Sequence, residues 1–234
     1  MKTKIHIGLD VHKNSIVVAY APPDGSPPQH HGRWGGSNLA AERGLLKLLK
    51  KLGVEKGEVR VCYEAGPTGF VLARRLLQLG YDCIIVAPSA VPKSGGERVK
   101  TDKRDARKLA RLLRSGDLSG INIPDGKDEA VRDVCRARTD ASQALSTAKQ
   151  QLSMFLLRVG RRYTGKSNWT HPHMNYLRAM TLPDEAHQIV LEEYIMAVDA
   201  GVERVRRLAA HMVSVLETWE RKPHYLSWYY FHPA

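Results

Sequence analysis

The chain has 234 residues, 43% hydrophobic and 26% charged, proportions that suit a folded protein and exclude a disordered or low-complexity one. No apolar run reaches the roughly 20 residues that a membrane-spanning helix needs, and the charged start at residues 1–6 leads into a strand-like run, not a secretory signal. Thirty-six Lys and Arg stand against 24 Asp and Glu, a net of +12; residues 1–120 hold 21 and 11 of these, a net of +10, so the excess sits in the first half. Such a basic half favours a polyanionic partner, since neutralising phosphates is the usual physical reason for it. A solubilising surface is the plainer alternative.

In chain order, residues 4–10 alternate as a strand, with Ile5, Ile7 and Leu9 at period 2. His12, Lys13 and Asn14 make a tight turn into a hairpin partner at 15–21. Pro22, Pro23, Asp24, Gly25, Pro27 and Pro28 form a loop, and a weak third strand runs from Gln29 to Trp34. Ser37 or Asn38 caps a helix carrying Leu45, Leu46, Leu48, Leu49 and Leu52, which Gly53 ends. A strand follows at 58–63, then a helix that starts at Pro67 and stops at Gly80. Another strand at 82–87 is closed by Pro88. Residues 93–100 read as a mobile Gly- and Lys-rich segment, and a helix spans 102–115. Three strands able to pair as hairpins, followed by strands needing helical crossovers, predict an α/β domain with a mixed sheet and flanking helices.

The second half changes character. Ala141, Leu145, Ala148, Leu152, Phe155 and Val159 recur at spacings of three and four within residues 128–162, and a matching stripe runs through 184–219. Two long helices joined by a polar loop at 163–183 predict an antiparallel coiled-coil arm, paired within the chain or with a second copy. The expected boundaries are 1–120 for the α/β domain, 121–222 for the helical region and 223–234 for an irregular aromatic tail. Cys62, Cys83 and Cys135 form no CxxC pair and read as free thiols of a reducing compartment. His171-Pro172-His173 lacks further ligands at metal spacing and reads as loop.

Four acids stand at privileged places. Asp10 ends the first strand, Glu64 directly follows the fourth, and Asp102 and Asp105, three apart, share one face of the last helix of the domain. The predicted strand order brings them together. Clustered carboxylates repel and persist only with protons or cations between them. Hard divalent cations suit them, Mg²⁺ with Mn²⁺ as alternative, and two such ions are suited to phosphodiester chemistry. Taken singly, each acid also has a plain role as a turn or first-turn helix residue. From Lys93 to Arg114 lie nine basic residues. Of these Lys93, Arg98, Lys100, Lys103, Arg104, Arg107, Lys108 and Arg111 join His12 and Lys13 as candidate contacts to a nucleic-acid backbone.

Three blocks resemble a known family. Gly8-Leu9-Asp10-Val11-His12-Lys13, Tyr63-Glu64-Ala65-Gly66-Pro67-Thr68-Gly69 and Lys100-Thr101-Asp102-Lys103-Arg104-Asp105-Ala106 resemble the DEDD transposases, insertion-sequence recombinases with a RuvC-like domain. The resemblance implies an RNase H-like (RuvC-like) fold for residues 4–115, with Asp10, Glu64, Asp102 and Asp105 as catalytic metal ligands. It implies DNA transposition by a homodimer or higher oligomer, with DNA and a structured guide RNA as partners, in the bacterial cytoplasm at the nucleoid. It further implies a serine nucleophile from a C-terminal domain. Ser227 lies in the aromatic tail and does not match that serine, so the chain is expected to stop before that domain. Alternatives are a Holliday-junction-type nuclease, a non-catalytic nucleic-acid-binding and dimerisation remnant, or a kinase-like ATPase. The last also begins with a Gly-x-Asp strand but needs phosphate loops that this sequence lacks.

Overall fold

The computed structural model describes residues 4–92 and 101–219. It divides into two compact units that meet in sequence at Pro124 and Asp125.

In the first unit β1 (Ile5–Val11), β2 (Ser15–Ala21) and β3 (Gln29–Gly35) run antiparallel in turn. Their short connections permit nothing else. Helix α1 (Asn38–Leu52) carries the chain across to β4 (Val59–Glu64), and α2 (Val71–Gln78) carries it to β5 (Asp82–Val86). Both crossovers produce parallel pairs, β1 with β4 and β4 with β5. The sheet order is β3-β2-β1-β4-β5, a mixed sheet as expected and compatible with an RNase H-like fold. Helix α3 (Asp102–Ser115) completes the unit.

Period-2 alternation sorts the side chains onto two faces. Ile5, Ile7 and Leu9, with Ile16, Val18, Val61 and Tyr63, pack with Leu45 and Leu48 of α1 and Leu72 and Leu76 of α2. The intervening residues belong to the other face: Cys62 packs with Leu109 and Leu112, and Val17 and Ala19 with Ala106, all of α3. Gly8 sets the distance between α3 and β1. A Cβ there would stand 2.5 Å from the Ala110 nitrogen and closer still to the Ala106 carbonyl oxygen, so only glycine lets the helix settle onto the strand. Ala106 and Ala110, both fully buried, keep the helix side of this contact small.

One expectation for this unit needs correction, and one choice left open is settled. Helix α2 starts at Val71, not Pro67, because Gly69 adopts a left-handed φ of 67° that a right-handed helix cannot hold. The buried Tyr63 hydroxyl fixes the intervening turn, accepting from the Ala73 N–H at 3.2 Å and donating to the Gly69 carbonyl at 3.2 Å. Ser37 is the N-cap of α1, its hydroxyl accepting from the Ala40 N–H, and Asn38 is the first helical residue. Gly53 ends that helix in the left-handed region as expected. Lys93, Arg98 and Lys100, with the segment expected to be mobile, lie outside the described residues, as does the tail at 223–234.

The second unit is built on α4 (Gly126–Arg158) and α6 (Glu185–Glu217), each 33 residues long, which pack against one another. One end is closed by Val131, Met212 and Leu216, and by the Trp219 indole N–H donating to Asp128 Oδ1 at 2.9 Å. At the other end Leu152, Phe155, Leu191 and Ile195 pack with Leu177. Leu177 belongs to α5 (His171–Arg178), a helix inside the span expected to be a polar loop. Pro172 there sits in the first helical turn, where its missing N–H costs nothing, so it opens a helix and does not break one. His171 and His173 are likewise helical, not loop. His173 is buried, and its Nδ1 accepts the Trp169 backbone N–H at 2.9 Å. No helix among the described residues is long and apolar enough to cross a membrane.

Two measurements check these contacts. Gly8→Ala should lower stability by about 1–3 kcal/mol in chemical denaturation, whereas Gly57→Ala, whose Cβ meets nothing within 4 Å, should change it by less than about 0.5 kcal/mol. Burial lowers the His173 pKa from 6.5, so the bond its neutral ring makes stabilises the fold fully above that value. That contribution should disappear as pH falls through the lowered folded pKa. His173→Asn keeps an acceptor without the titration and should flatten this acid slope in thermal melts.

Candidate metal and nucleic-acid site

The site begins with the register of the sheet. Leu9 pairs with Tyr63 across the parallel β1–β4 ladder, so Asp10 and Glu64 are the next residues on neighbouring strands, whose backbones lie about 4.8 Å apart. Both follow the alternation onto the α3 face. Pressed down at Gly8, α3 presents its first turn, with Asp102 and Asp105, at the same edge of the sheet. The β1–β2 turn adds His12. This turn is itself held by Gly36, whose N–H donates to the Asn14 carbonyl at 3.1 Å and whose Cβ would stand 2.5 Å from the Lys13 oxygen.

Asp10, His12 and Asp102 form a tight group, each offering one ligand atom within 4.8 Å of the others. His12 Nε2 lies 3.0 Å from Asp10 Oδ2 and 3.8 Å from Asp102 Oδ1. Burial, with the Asp10 side chain only 20% exposed, raises its carboxyl pKa above the usual 3.8. The hydrogen bond and charge of His12 oppose that rise, and the charges of Asp102 and Asp105 add to it. A raised carboxyl favours the proton in the folded state. Its stabilising contribution is full below 3.8 and is lost as pH rises through the folded value. A divalent cation would offset that loss, and the mix of carboxylate oxygens and one imidazole nitrogen is a donor set that fits one.

Asp105 is near enough to act on Asp10 electrostatically but stands outside the tight group, as does the exposed Glu64. The basic residues divide. Lys103, Arg107 and Arg111 recur every four positions along the exposed side of α3, and Lys103 and Arg107 are close enough to His30 of β3 to lower its pKa, after burial. Arg104 and Lys13 are also exposed, whereas Lys108 is half-buried. Arg114 is taken up by the fold: its guanidinium donates to the carbonyls of Pro22 and Ser26 and braces the proline-rich loop.

Arg33 escaped the sequence reading. Its guanidinium donates to Asp102 Oδ2 at 3.0 Å and Ser15 Oγ at 2.8 Å, tying the edge strand to α3. A signal existed in the pairing register. Val17 is the partner of both Asp10 and Arg33, so the two stand in one row across three strands.

The first unit is thus an α/β domain with a group of two carboxylates and one imidazole at the end of its central strands. Comparison with known sequences is more specific. A family model described as transposase, of the DEDD type named after IS110, matches residues 7–160, and the chain belongs to this family. It is 42% identical over 196 residues to a protein of Sinorhizobium fredii named as transposase y4qE, covering 83% of this chain and 49% of that protein. It is 34% identical over 221 residues to the transposase for insertion sequence element IS1533 of Leptospira borgpetersenii, covering 93% of this chain and 62% of that one. The chain thus spans about half to three fifths of the length of these relatives.

Titration with Mn²⁺ separates the roles of the charged groups. Asp10→Asn should weaken binding by about tenfold or more, since a buried ligand charge is lost. Arg33→Ala removes an exposed cation from Asp102 and should tighten binding by no more than about fivefold, the range of an exposed ion pair.

Proposed function

We propose that the first unit is the cation-dependent catalytic domain of a DNA transposase, RNase H-like in fold, acting on phosphodiester bonds. The observation that carries this is the convergence of Asp10, His12 and Asp102 from a strand end, a turn and a helix start. Membership of a transposase family supports DNA as the substrate.

In this reading Asp10 and Asp102 hold Mg²⁺ or Mn²⁺, His12 is a further ligand, and Glu64 and Asp105 complete the set from the same edge. Bound there, the cation supplies the positive charge that stabilises the attacking and leaving oxygens of a phosphodiester. Burial disfavours the Asp10 charge and raises its pKa, and a bound cation would offset that. Arg33 fixes the Asp102 carboxylate. Lys103, Arg107 and Arg111, with Lys13 at the turn, track the nucleic-acid backbone without reading its sequence. The second unit serves as a coiled-coil arm joining copies of the chain, supported by the exposed Ile189, Met196, Val202 and Val213 on α6. A structured guide RNA is the second nucleic-acid partner.

Pulsed electron paramagnetic resonance on the Mn²⁺-loaded chain tests the site. The expected spectrum shows ¹⁴N coupling from one imidazole, lost in His12→Gln while the Mn²⁺ stays bound. If the chain leaves the aqueous Mn²⁺ signal unchanged, the cation-site reading fails. If Mn²⁺ binds without nitrogen coupling, His12 is removed from the ligand set and the carboxylates remain.

A further inference from the structure

The end of the helical unit holds a cavity of about 350 Å³ that the proposed chemistry leaves unused. Arg161, Arg162, Tyr163, Asn168 and His173 are in its wall, above Leu156 of α4. No carboxylate lines it among the described residues. Arg161 and Arg162 are exposed, in the segment where Gly160 with φ 68° has just ended α4, and neither makes an ion pair among the described residues.

His173 contributes one more donor, by elimination. Its Nδ1 accepts the Trp169 N–H, so the proton of the neutral ring must sit on Nε2. No acceptor for that Nε2–H stands among the described residues. The ring is held between aromatic neighbours, Tyr163 at 4.6 Å and Trp169 at 5.3 Å between centroids. Trp169 has a φ of 65°, unusual for a residue with a Cβ, and the Lys149 ammonium stands over its indole, 5.3 Å from the ring centroid. The imidazole of the wall is thus held in place, and the charged groups of the lining are both cations.

Two consecutive arginines and one imidazole N–H donor in the lining of one cavity, with no carboxylate among the lining residues, match an anionic oxygen group, and Arg forks suit phosphate above all. We propose that this cavity holds a phosphodiester group of the DNA bound by the chain. It is a second anchoring point, on a different unit from the carboxylates. The proposal rests on the DNA-binding part of the reading above and is independent of the cation site.

The test uses the full chain and a short fluorescein-labelled DNA duplex followed by anisotropy across a salt series. Arg161→Ala/Arg162→Ala should lose about tenfold in affinity and reduce the salt slope by about one, the value for one phosphate. Arg136→Ala/Arg206→Ala removes the same formal charge from the same unit at sites already paired to Asp133 and Glu203, and should lose less than about twofold. In ¹⁵N-histidine spectra the His173 signals should report an Nε2–H tautomer, and the Nε2 signal should move on adding the duplex. Equal losses in the two double variants would overturn the proposal. So would an Nε2 signal that responds to inorganic phosphate but not to DNA, which would mark a free-anion site. No binding of DNA by the unaltered chain would overturn the DNA-binding reading itself.

Discussion

The contact on which the first unit depends is the seat of α3 on β1 at Gly8. Alternation along β1 gives Asp10 to the face that α3 covers, but alternation alone leaves a carboxylate under a helix at ordinary separation. The missing Cβ of Gly8, met by Ala106 and Ala110, brings the helix down until its first turn reaches the end of the strand. Asp10 and Asp102, 92 positions apart in sequence, then share one group with His12. The same closeness covers most of Asp10 and pushes its carboxyl pKa upward, so the packing that assembles the group also disfavours the charge of one member.

Around that seat the unit places supports that are each local. Gly36 braces the turn that carries His12, Tyr63 pins the turn after Glu64, and Arg114 holds the proline-rich loop. None of these touches the acids. The first two fix segments that follow Asp10 and Glu64 in the chain, and the third ties the far end of α3 to the β2–β3 loop.

Much of this was legible in the sequence because it rests on short-range rules. Period 2 in Ile5, Ile7 and Leu9, the Ser37 cap and Gly53 stop of α1, and the β-β-β-α-β-α-β-α order all follow from neighbours in the chain. What escaped depends on longer relations. Arg33 meets Asp102 through a register spanning three strands, and composition cannot show that. Pro67 reads as a helix start and Pro172 as loop, yet Gly69 delays the first helix and it is Pro172 that lies in a first turn. The three-residue spacing of Asp102 and Asp105 correctly puts them on one helix, yet only Asp102 enters the tight group.

The helical unit has its large buried side chains gathered at its two ends. At 1.5 Å per residue its long helices each run about 50 Å. Between the end clusters Ala141 is buried and Gly201 is laid against Leu145, with no large side chain fully buried there among the described residues. Such a rod is welded at its extremities and thin at its waist. Bending strain applied to either tip concentrates at that waist, where few apolar contacts resist it, and the hairpin can flex there without unlocking the clusters that hold its ends.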